Sequence, residues 1–373
     1  MKISIIQPRI SYYIGGGEKL PLIHAELLSQ KGHEVVIFTT KVQPEKQTFL
    51  YKALKSKKIK NIEFKEFDIP LKYKKYFHKE AGEDRNRWDT ECLLFNQLIF
   101  SNLESSDPDI LISYYVLDGL FKPLKITSIL YLLGYPNDDL EIRTSFLRFY
   151  DATISISKNV HNKWERYFNS KSKNYILNSG VDLDNQQTST PSDFRRNIVF
   201  AGRLVERKGV ETLLEAFHAV IEKHSDVHLW IIGDGPKIDD YSKTVKGLNL
   251  ENAVTFTGSV SNIKDYFRMS DICVFPSYEK EGLMGVVLEA MSAGKPVITT
   301  TNNGNEDVII ADKTGILVEP KNSTSLAGEI MNHLQEHNKM NIIGKNAKKY
   351  IENHLTWDIF IEKFNKLLFK IKY

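Results

Sequence analysis

A basic segment in the second half of the chain, residues 202–209 (GRLVERKG), has the side chains needed to bind a diphosphate. Arg203 can hold a phosphate through two parallel hydrogen bonds, and Lys208 can add a compact positive charge. Together the two cations could neutralise a diphosphate leaving group without a metal ion. The alternative is a basic loop that is simply solvated, and this is the role we expect for Arg207.

Two carboxylates separated by seven residues, Glu281 and Glu289, flank the glycine-containing segment EGLMGVVLE. The glycines allow a tight turn whose amides point outward, and the apolar residues after it predict a buried helix that ends at Gly294. Glu281 would then lie in the loop and Glu289 on the helix, where both could accept hydrogen bonds from sugar or ribose hydroxyls. Glu289 could instead be an exposed helix residue, and Glu279 competes with Glu281 for the loop position.

A glycine loop in the first half, residues 15–17, follows the first apolar run and precedes a predicted helix. Glycines let the backbone approach a ligand closely, and the amino end of a helix favours an anion such as a phosphate. The loop does not have the spacing of the dinucleotide-binding fingerprint, which fails at Leu20. A flexible strand-to-helix turn without a ligand is the alternative.

The elements that must position these residues can be read from the alternation of short apolar runs and amphipathic stretches, with six such runs in each half. Runs that are apolar on both faces predict strands covered by helices, as in parallel α/β sheets. The polar segment 186–193, broken by Pro191, predicts a linker. The chain is therefore predicted to be α/β, with two Rossmann-like domains that face each other across a cleft.

The predicted domains are residues 1–185 and residues 195–355. Residues 356–373 form an amphipathic helix that begins after Thr356 and carries apolar residues such as Phe360 and Phe364 on one face. The pattern alone does not decide whether this helix packs on its own domain or on the first one.

Composition excludes several classes of protein. The 50 basic and 47 acidic residues leave a net charge of only +3, so no nucleic-acid partner is expected. Cys92 and Cys273 lie in apolar stretches and are predicted to be buried and reduced, in a cytoplasmic protein. No stretch is apolar enough to span a membrane. The segment 71–79 mixes lysines with aromatic residues, so it is either a solvated loop or a peripheral contact with the inner face of the cell membrane.

Other polar residues are given no catalytic role. Asp107 and Asp109 match a D-x-D metal pattern, but they directly precede an apolar strand and are predicted to form a turn, so no metal site is expected. His24, His78 and His161 could each act as a base, and nothing in their spacing selects one of them.

The ordered set of motifs resembles the family-4 glycosyltransferases of the GT-B fold, also described as glycosyl transferases group 1. The first half matches more loosely, through the glycine loop, GHEV at 32–35 and SGVD at 179–182. The matching segments of the second half are FAGRL at 200–204, KG at 208–209, IGDGP at 232–236, FTG at 256–258, FPS at 275–277, the segment 281–289, NNGNE at 302–306 and TGILV at 314–318.

This resemblance implies a retaining transfer of a hexose from a nucleotide diphosphate sugar to an acceptor hydroxyl, in the synthesis of a cell-surface glycan or polysaccharide. It implies no cofactor and no catalytic metal, a UDP-sugar rather than a GDP-sugar as co-substrate, and a glycan, lipid-linked sugar or small molecule as acceptor. Catalytic roles would fall to Arg203, Lys208 and Glu281. The residues expected to contact the donor are Gly16, Gly17, Gly202, Gly233, Gly258, Gly282, Leu283, Met284, Gly285 and Glu289. The resemblance also implies that the first domain, residues 1–185, binds the acceptor and that the second, residues 195–355, binds the nucleotide-sugar donor. It further implies that the C-terminal helix crosses back to the first domain.

Two departures from the family pattern leave alternatives open. Leu283 and Met284 stand where many relatives have Phe-Gly. The first domain has no histidine after its fourth or fifth predicted strand, so the acceptor-site candidates there are Tyr114, Tyr135, Asn137 and Asp138. A nucleotide-sugar epimerase of the same fold and a non-catalytic partner that binds sugar nucleotides are the rival functions.

Overall fold

The computed structural model describes residues 1–13, 15–77, 85–114, 125–136, 144–186, 196–278 and 281–373. These residues form two compact units, of which the first combines Met1–Leu177 with Phe360–Tyr373 and the second is Asn178–Ile359. Each unit is built on a parallel β-sheet with helices, which confirms the predicted α/β class with two Rossmann-like domains.

The first unit contains a seven-stranded parallel sheet in the order β3-β2-β1-β4-β5-β6-β7. Its strands are β1 (Lys2–Ile6), β2 (Glu34–Thr40), β3 (Ile62–Phe67), β4 (Ile110–Tyr114), β5 (Thr127–Leu132), β6 (Ala152–Ser155) and β7 (Lys173–Ile176). Its helices are α1 (Lys19–Gln30), α2 (Phe49–Ser56), α3 (Arg85–Ser106) and α4 (Lys158–Trp164). The central strand β1 has Ile3 beside Val35 of β2 and Ile110 of β4.

The second unit contains a six-stranded parallel sheet in the order β10-β9-β8-β11-β12-β13. Its strands are β8 (Arg196–Ala201), β9 (Val227–Ile232), β10 (Val254–Gly258), β11 (Ile272–Phe275), β12 (Val297–Thr300) and β13 (Ile316–Val318). Its helices are α5 (Val210–Ile221), α6 (Ile238–Gly247), α7 (Ile263–Met269), α8 (Gly285–Ser292), α9 (Ser323–Gln335) and α10 (His337–His354). The predicted apolar stripe of α5, which includes Leu213, Leu214 and Phe217, is buried in the core against this sheet.

The last helix, α11 (Trp357–Lys372), starts in the second unit, and its residues from Phe360 onward belong to the first. The predicted return of the C-terminal helix to the first domain is thereby confirmed. Phe360 stacks on the ring of His24 with ring centroids 4.5 Å apart, and both residues are buried. At the rim of this contact, His33 Nε2 lies 2.7 Å from Asn365 Oδ1.

Strand direction fixes where ligands can be bound. Because all strands of a parallel sheet point the same way, the loops that follow their carboxyl ends lie at one edge. In the second unit this edge carries the segments after β8, β9, β11 and β12, which include both predicted donor motifs.

Among the described residues, no helix combines the length and apolarity required to cross a membrane. The two cysteines are buried and form no disulfide, as predicted.

Candidate functional site

The basic loop after β8 is held by apolar anchors and one obligatory glycine. Leu204 and Val205 are buried, and a single 3-10 turn, Glu206–Lys208, follows them. Gly209 has φ = +71°, and a Cβ on it would lie 2.1 Å from the carbonyl oxygen of Pro276. The glycine therefore allows the loop after β8 to press against the loop after β11, and this contact places the basic side chains.

The carboxylate of Glu281 is the hydrogen-bond acceptor for the basic side chains of this loop. The residue is only 8% exposed, and Lys208 Nζ lies 2.9 Å from its Oε1. Arg207 Nη1 donates to the same carboxylate oxygen. A main-chain hydrogen bond also joins the two loops, since Tyr278 N donates to Arg207 O at 3.0 Å. The structure thus brings together two of the predicted catalytic residues, Lys208 and Glu281.

The expectation that Arg207 would be solvated is wrong. Its side chain is 42% exposed, but its guanidinium is ion-paired with the Glu281 carboxylate. The sequence gives no signal for this contact, since Arg207 and Glu281 are 74 positions apart and meet only because β8 and β11 are neighbours in the sheet.

Met284 occupies a place that the family pattern gives to glycine, and its side chain points inward. The residue is 6% exposed, and its Sδ accepts from Lys208 Nζ and from Ser277 Oγ, each at 3.5 Å. Its backbone N–H donates to Asn305 Oδ1 at 3.1 Å. The side chain of Met284 therefore lies against Lys208, and its neighbour Leu283 is also buried.

A buried amide network supports the carboxylate loop from the side of β12. Asn305 is fully buried, and its Nδ2 donates to Thr299 Oγ1 at 3.1 Å. Asn303 Oδ1 accepts from the backbone N–H of Asn305 at 2.9 Å. Glu281 O accepts from Gly304 N at 3.2 Å. The sequence motif at 302–306 indicated this segment without assigning a role to its amides, and the motif at 275–277 likewise included Ser277 without assigning it a role.

The remaining predicted donor residues of the second unit lie on the same edge. Gly233 has φ = +127°, and a Cβ there would lie 2.0 Å from Gly202 O. Gly233 N donates to Gly258 O at 2.9 Å, so these three glycines bring adjacent backbones together. Arg203 is half-buried in the loop after β8.

The carboxylate motif continues into α8, which begins at Gly285. Gly282 is half-buried in the turn before that helix, and Glu289 is half-buried on it. Glu279 lies outside the described residues.

The charges of the loop after β8 favour an anion. Within residues 202–209, Arg203, Arg207 and Lys208 are three cations, set against the single carboxylate of Glu206. A diphosphate brings enough negative charge to compete for Lys208, and Arg207 can then continue to neutralise Glu281.

In the first unit, the glycine loop lies beside a carboxylate. Glu18, 7% exposed, precedes α1, and its Oε1 is 3.6 Å from Arg9 Nη2. Gly16 is exposed, and a Cβ on Gly17 would come within 3.1 Å of Leu133 Cδ1. Because the Glu18 carboxylate is ion-paired with Arg9, its charge is compensated and does not exclude an anion from this loop. Phosphate contact by Gly16 and Gly17 stays a prediction.

Tyr114 requires a correction, because it is fully buried inside the first unit and presents no surface to an acceptor. Its hydroxyl lies 2.5 Å from His24 Nδ1, and its ring stacks on Tyr131. Burial lowers the pKa of His24 to about 3, so this histidine is a neutral core residue at physiological pH.

The other acceptor candidates follow β5. Tyr135 is mostly buried, with its hydroxyl 2.5 Å from Asn159 Oδ1. Asn137 and Asp138 lie outside the described residues.

Comparison with known proteins agrees with this geometry. Residues 184–350 match the family Glycosyl transferases group 1. An uncharacterized glycosyltransferase of Methanocaldococcus jannaschii is 30% identical over 244 residues, which are 60% of this chain and 62% of that protein, so the match spans less than two thirds of this relative's length.

Two solved structures match almost the whole chain. The sucrose-phosphate synthase of Thermosynechococcus elongatus has a TM-score of 0.81 at 19% identity, covering 99% of this chain and 98% of that one. HepE of Anabaena, solved in complex with UDP, has a TM-score of 0.78 at 17% identity, covering 99% and 100%. The chain therefore has the GT-B fold, and residues 184–350 of its second unit match the glycosyl transferases group 1 family.

Proposed function

We propose that this protein is a glycosyltransferase that retains anomeric configuration and takes a hexose from a nucleotide diphosphate sugar. The observation that carries the proposal is the cluster of Arg207, Lys208 and Glu281 at the carboxyl edge of the six-stranded sheet. It combines cations for a diphosphate with a carboxylate for sugar hydroxyls, in the unit that matches the group 1 family. The complex of HepE with UDP supports a UDP-sugar as the donor.

The reaction breaks the bond between the anomeric carbon and the phosphate oxygen, so negative charge develops on the departing diphosphate. Arg203 and Lys208 would stabilise that charge, which is the largest catalytic contribution available to such a site. The acceptor hydroxyl would attack from the face that the diphosphate leaves, and its proton would pass to the departing phosphate oxygen. The two cations would take over the charge neutralisation that a metal ion provides in other transferases.

Glu281 would accept hydrogen bonds from the hydroxyls of the donor sugar, and the backbone N–H groups of Gly282–Gly285 would donate to the same sugar. Glu289 would hold the ribose of the nucleotide. Gly202, Gly233 and Gly258 have no side chains of their own to separate the strand ends from a ligand at this edge. The first unit would bind the acceptor, which would be a glycan, a lipid-linked sugar or a small molecule. The reaction would take place in the cytoplasm and would contribute to the assembly of a cell-surface glycan.

Binding of UDP, GDP and ADP in the presence of EDTA tests the donor site directly. We expect UDP to raise the melting temperature of the purified protein more than GDP or ADP, because a ligand that binds only the folded state stabilises it. The measurement is thermal denaturation followed by fluorescence at millimolar nucleotide. If none of the three nucleotides shifts the melting temperature, the donor site is wrong.

Product analysis then separates the proposal from its rivals. A transferase releases UDP from the UDP-sugar slowly with water and faster with an acceptor, and NMR of the product reports the anomeric configuration. An epimerase converts the UDP-sugar into its isomer without an acceptor, and a non-catalytic binding partner leaves it unchanged.

Replacing Arg207 with glutamine should weaken donor turnover by roughly three- to tenfold, the scale of one partly exposed charge-assisted hydrogen bond. In this variant Lys208 is the remaining cation on Glu281, so diphosphate binding and carboxylate neutralisation compete for it. The KM for the UDP-sugar should rise more than the Kd for free UDP, because Glu281 contacts the sugar. Lys243→Gln, which removes a side chain that is 80% exposed, is the control. Equal kinetics in both variants would remove Arg207 from the site.

A further inference from the structure

The loops that leave β2 and β3 expose large apolar side chains. Phe49 and Leu71 are each 81% exposed, and Leu50 is 37% exposed. We call residues 41–53 and 68–77 together the β2–β3 surface. A solvated loop explains exposed lysines, but it does not explain two large apolar side chains held in water.

The two segments of the β2–β3 surface leave the same edge of the first sheet. Thr40 of β2 is paired with Phe67 of β3, so the two parallel strands end side by side. Lys41 N donates to Phe67 O at 2.9 Å, and Lys41 Nζ lies 3.2 Å from Asp68 Oδ2. These contacts tie the segments together where they begin.

Buried residues in both segments fix the backbone, so that the side chains of Phe49 and Leu71 stay exposed. Ile69 and Phe77, at the two ends of the second segment, are 8% and 3% exposed, so the turn Leu71–Tyr76 between them is fixed at both ends. On the first segment, Thr48 Oγ1 caps α2 by accepting from Tyr51 N, and Tyr51 is fully buried. Phe49 and Leu71 are therefore exposed because the backbone of both segments is fixed by buried residues.

The surface also concentrates positive charge. It carries six lysines, all of them exposed, and two acidic residues, Glu45 and Asp68, which leaves an excess of four positive charges. That excess is larger than the net charge of the whole chain, which is +3. The six lysines are Lys41, Lys46, Lys52, Lys72, Lys74 and Lys75.

Two tyrosines of the β2–β3 surface, Tyr73 and Tyr76, lie next to its lysines. Lys72 Nζ lies 4.7 Å from the ring centroid of Tyr73, and Lys75 Nζ lies 4.8 Å from that of Tyr76. Aromatic rings with a polar end, next to lysines and exposed aliphatic side chains, are the composition found where proteins lie at the interface of a bilayer.

We propose that the β2–β3 surface docks this protein on an anionic phospholipid membrane, with Phe49 and Leu71 inserted between headgroups and the lysines facing the lipid phosphates. Charge complementarity selects this occupant, since the lysines would gain from the negative surface potential of such a membrane. The sequence prediction for residues 71–79 contains half of this surface. It missed Phe49 and Leu50, and its residues 78 and 79 lie outside the described part of the chain.

Co-sedimentation of the full chain with vesicles tests the proposal. We expect binding to vesicles of phosphatidylglycerol and phosphatidylcholine at least tenfold tighter than to phosphatidylcholine alone, and weaker binding in 0.5 M salt. The double variant Phe49→Ser/Leu71→Ser and the triple variant Lys72→Gln/Lys74→Gln/Lys75→Gln should each lose at least tenfold in affinity. Ile342→Ser, an apolar residue of the second unit that is 59% exposed, should bind as the wild type does.

Wild-type protein that does not prefer anionic vesicles would overturn the proposal and leave a protein partner as the occupant of the surface. Binding that survives the Phe49→Ser/Leu71→Ser change would also overturn it, because a merely basic surface would then suffice. UDP binding by the variants should equal that of the wild type, so the result is independent of whether the donor site is correct.

Discussion

Turnover of the nucleotide sugar is expected to fall at least about 100-fold when Lys208 is replaced with alanine, the loss found for one charge-stabilising donor in a water-poor site. The Lys208 side chain is only 14% exposed, and its ammonium lies 2.9 Å from Glu281 Oε1. Given the role proposed for Lys208, its removal would take a cation from the departing diphosphate. It would also leave the Glu281 carboxylate less neutralised, and this carboxylate would then repel the diphosphate. Both effects act on the transition state and on donor binding, so kcat should fall while the Kd for UDP rises.

Arg203→Ala should produce a loss of similar size, because the two residues are proposed to share the developing charge. Lys243→Ala, in which a largely exposed lysine of the same unit is removed, should retain wild-type kinetics. Initial rates of UDP release, with circular dichroism to verify folding, provide the measurement. A Lys208→Ala enzyme with full activity would be incompatible with the phosphate role assigned to this lysine.

Most strands of both sheets could be predicted because each forms a short run that is apolar on two faces. The edge strand β3 (Ile62–Phe67) was missed, since its sequence IEFKEF alternates polar and apolar residues. A strand at the edge of a sheet is covered less completely than a central one, and all six residues of β3 are at least partly exposed. The apolar-run criterion detects buried strands and therefore fails at this edge.

In the proposed donor site, residue types and spacing indicated Lys208 and Glu281, and the structure places Lys208 Nζ 2.9 Å from Glu281 Oε1. The roles of Arg207 and Met284 could not be predicted, because both depend on which loops meet at the sheet edge. Tyr114 was misplaced for a different reason. It is the last residue of β4, a parallel strand whose five residues are all buried, so the end of this strand does not reach the surface where an acceptor could bind.

Gly209→Ala should destabilise the protein by about 3 kcal/mol, the combined scale of a left-handed backbone conformation and of overpacking. At φ = +71° an L side chain is strained, and the new Cβ would lie 2.1 Å from Pro276 O. Relief of that clash must separate the loop after β8 from the loop after β11, which carry Lys208 and Glu281 respectively. We therefore expect a melting temperature lowered by several degrees in scanning calorimetry and a parallel loss of UDP binding.

The same substitution at Gly328 separates this effect from the general cost of replacing a glycine. Gly328 lies within α9, and a Cβ there would meet no atom within 4 Å apart from its chain neighbours and the backbone of its own helix. Alanine is the better helix former, so Gly328→Ala should leave UDP binding unchanged and raise stability by up to about 1 kcal/mol. If Gly209→Ala were as stable as Gly328→Ala and still bound UDP, the close contact between the two loops would not be what positions the donor site. Because the strain and the ligand contacts share one pair of loops, we expect stability and nucleotide affinity to fall together at Gly209.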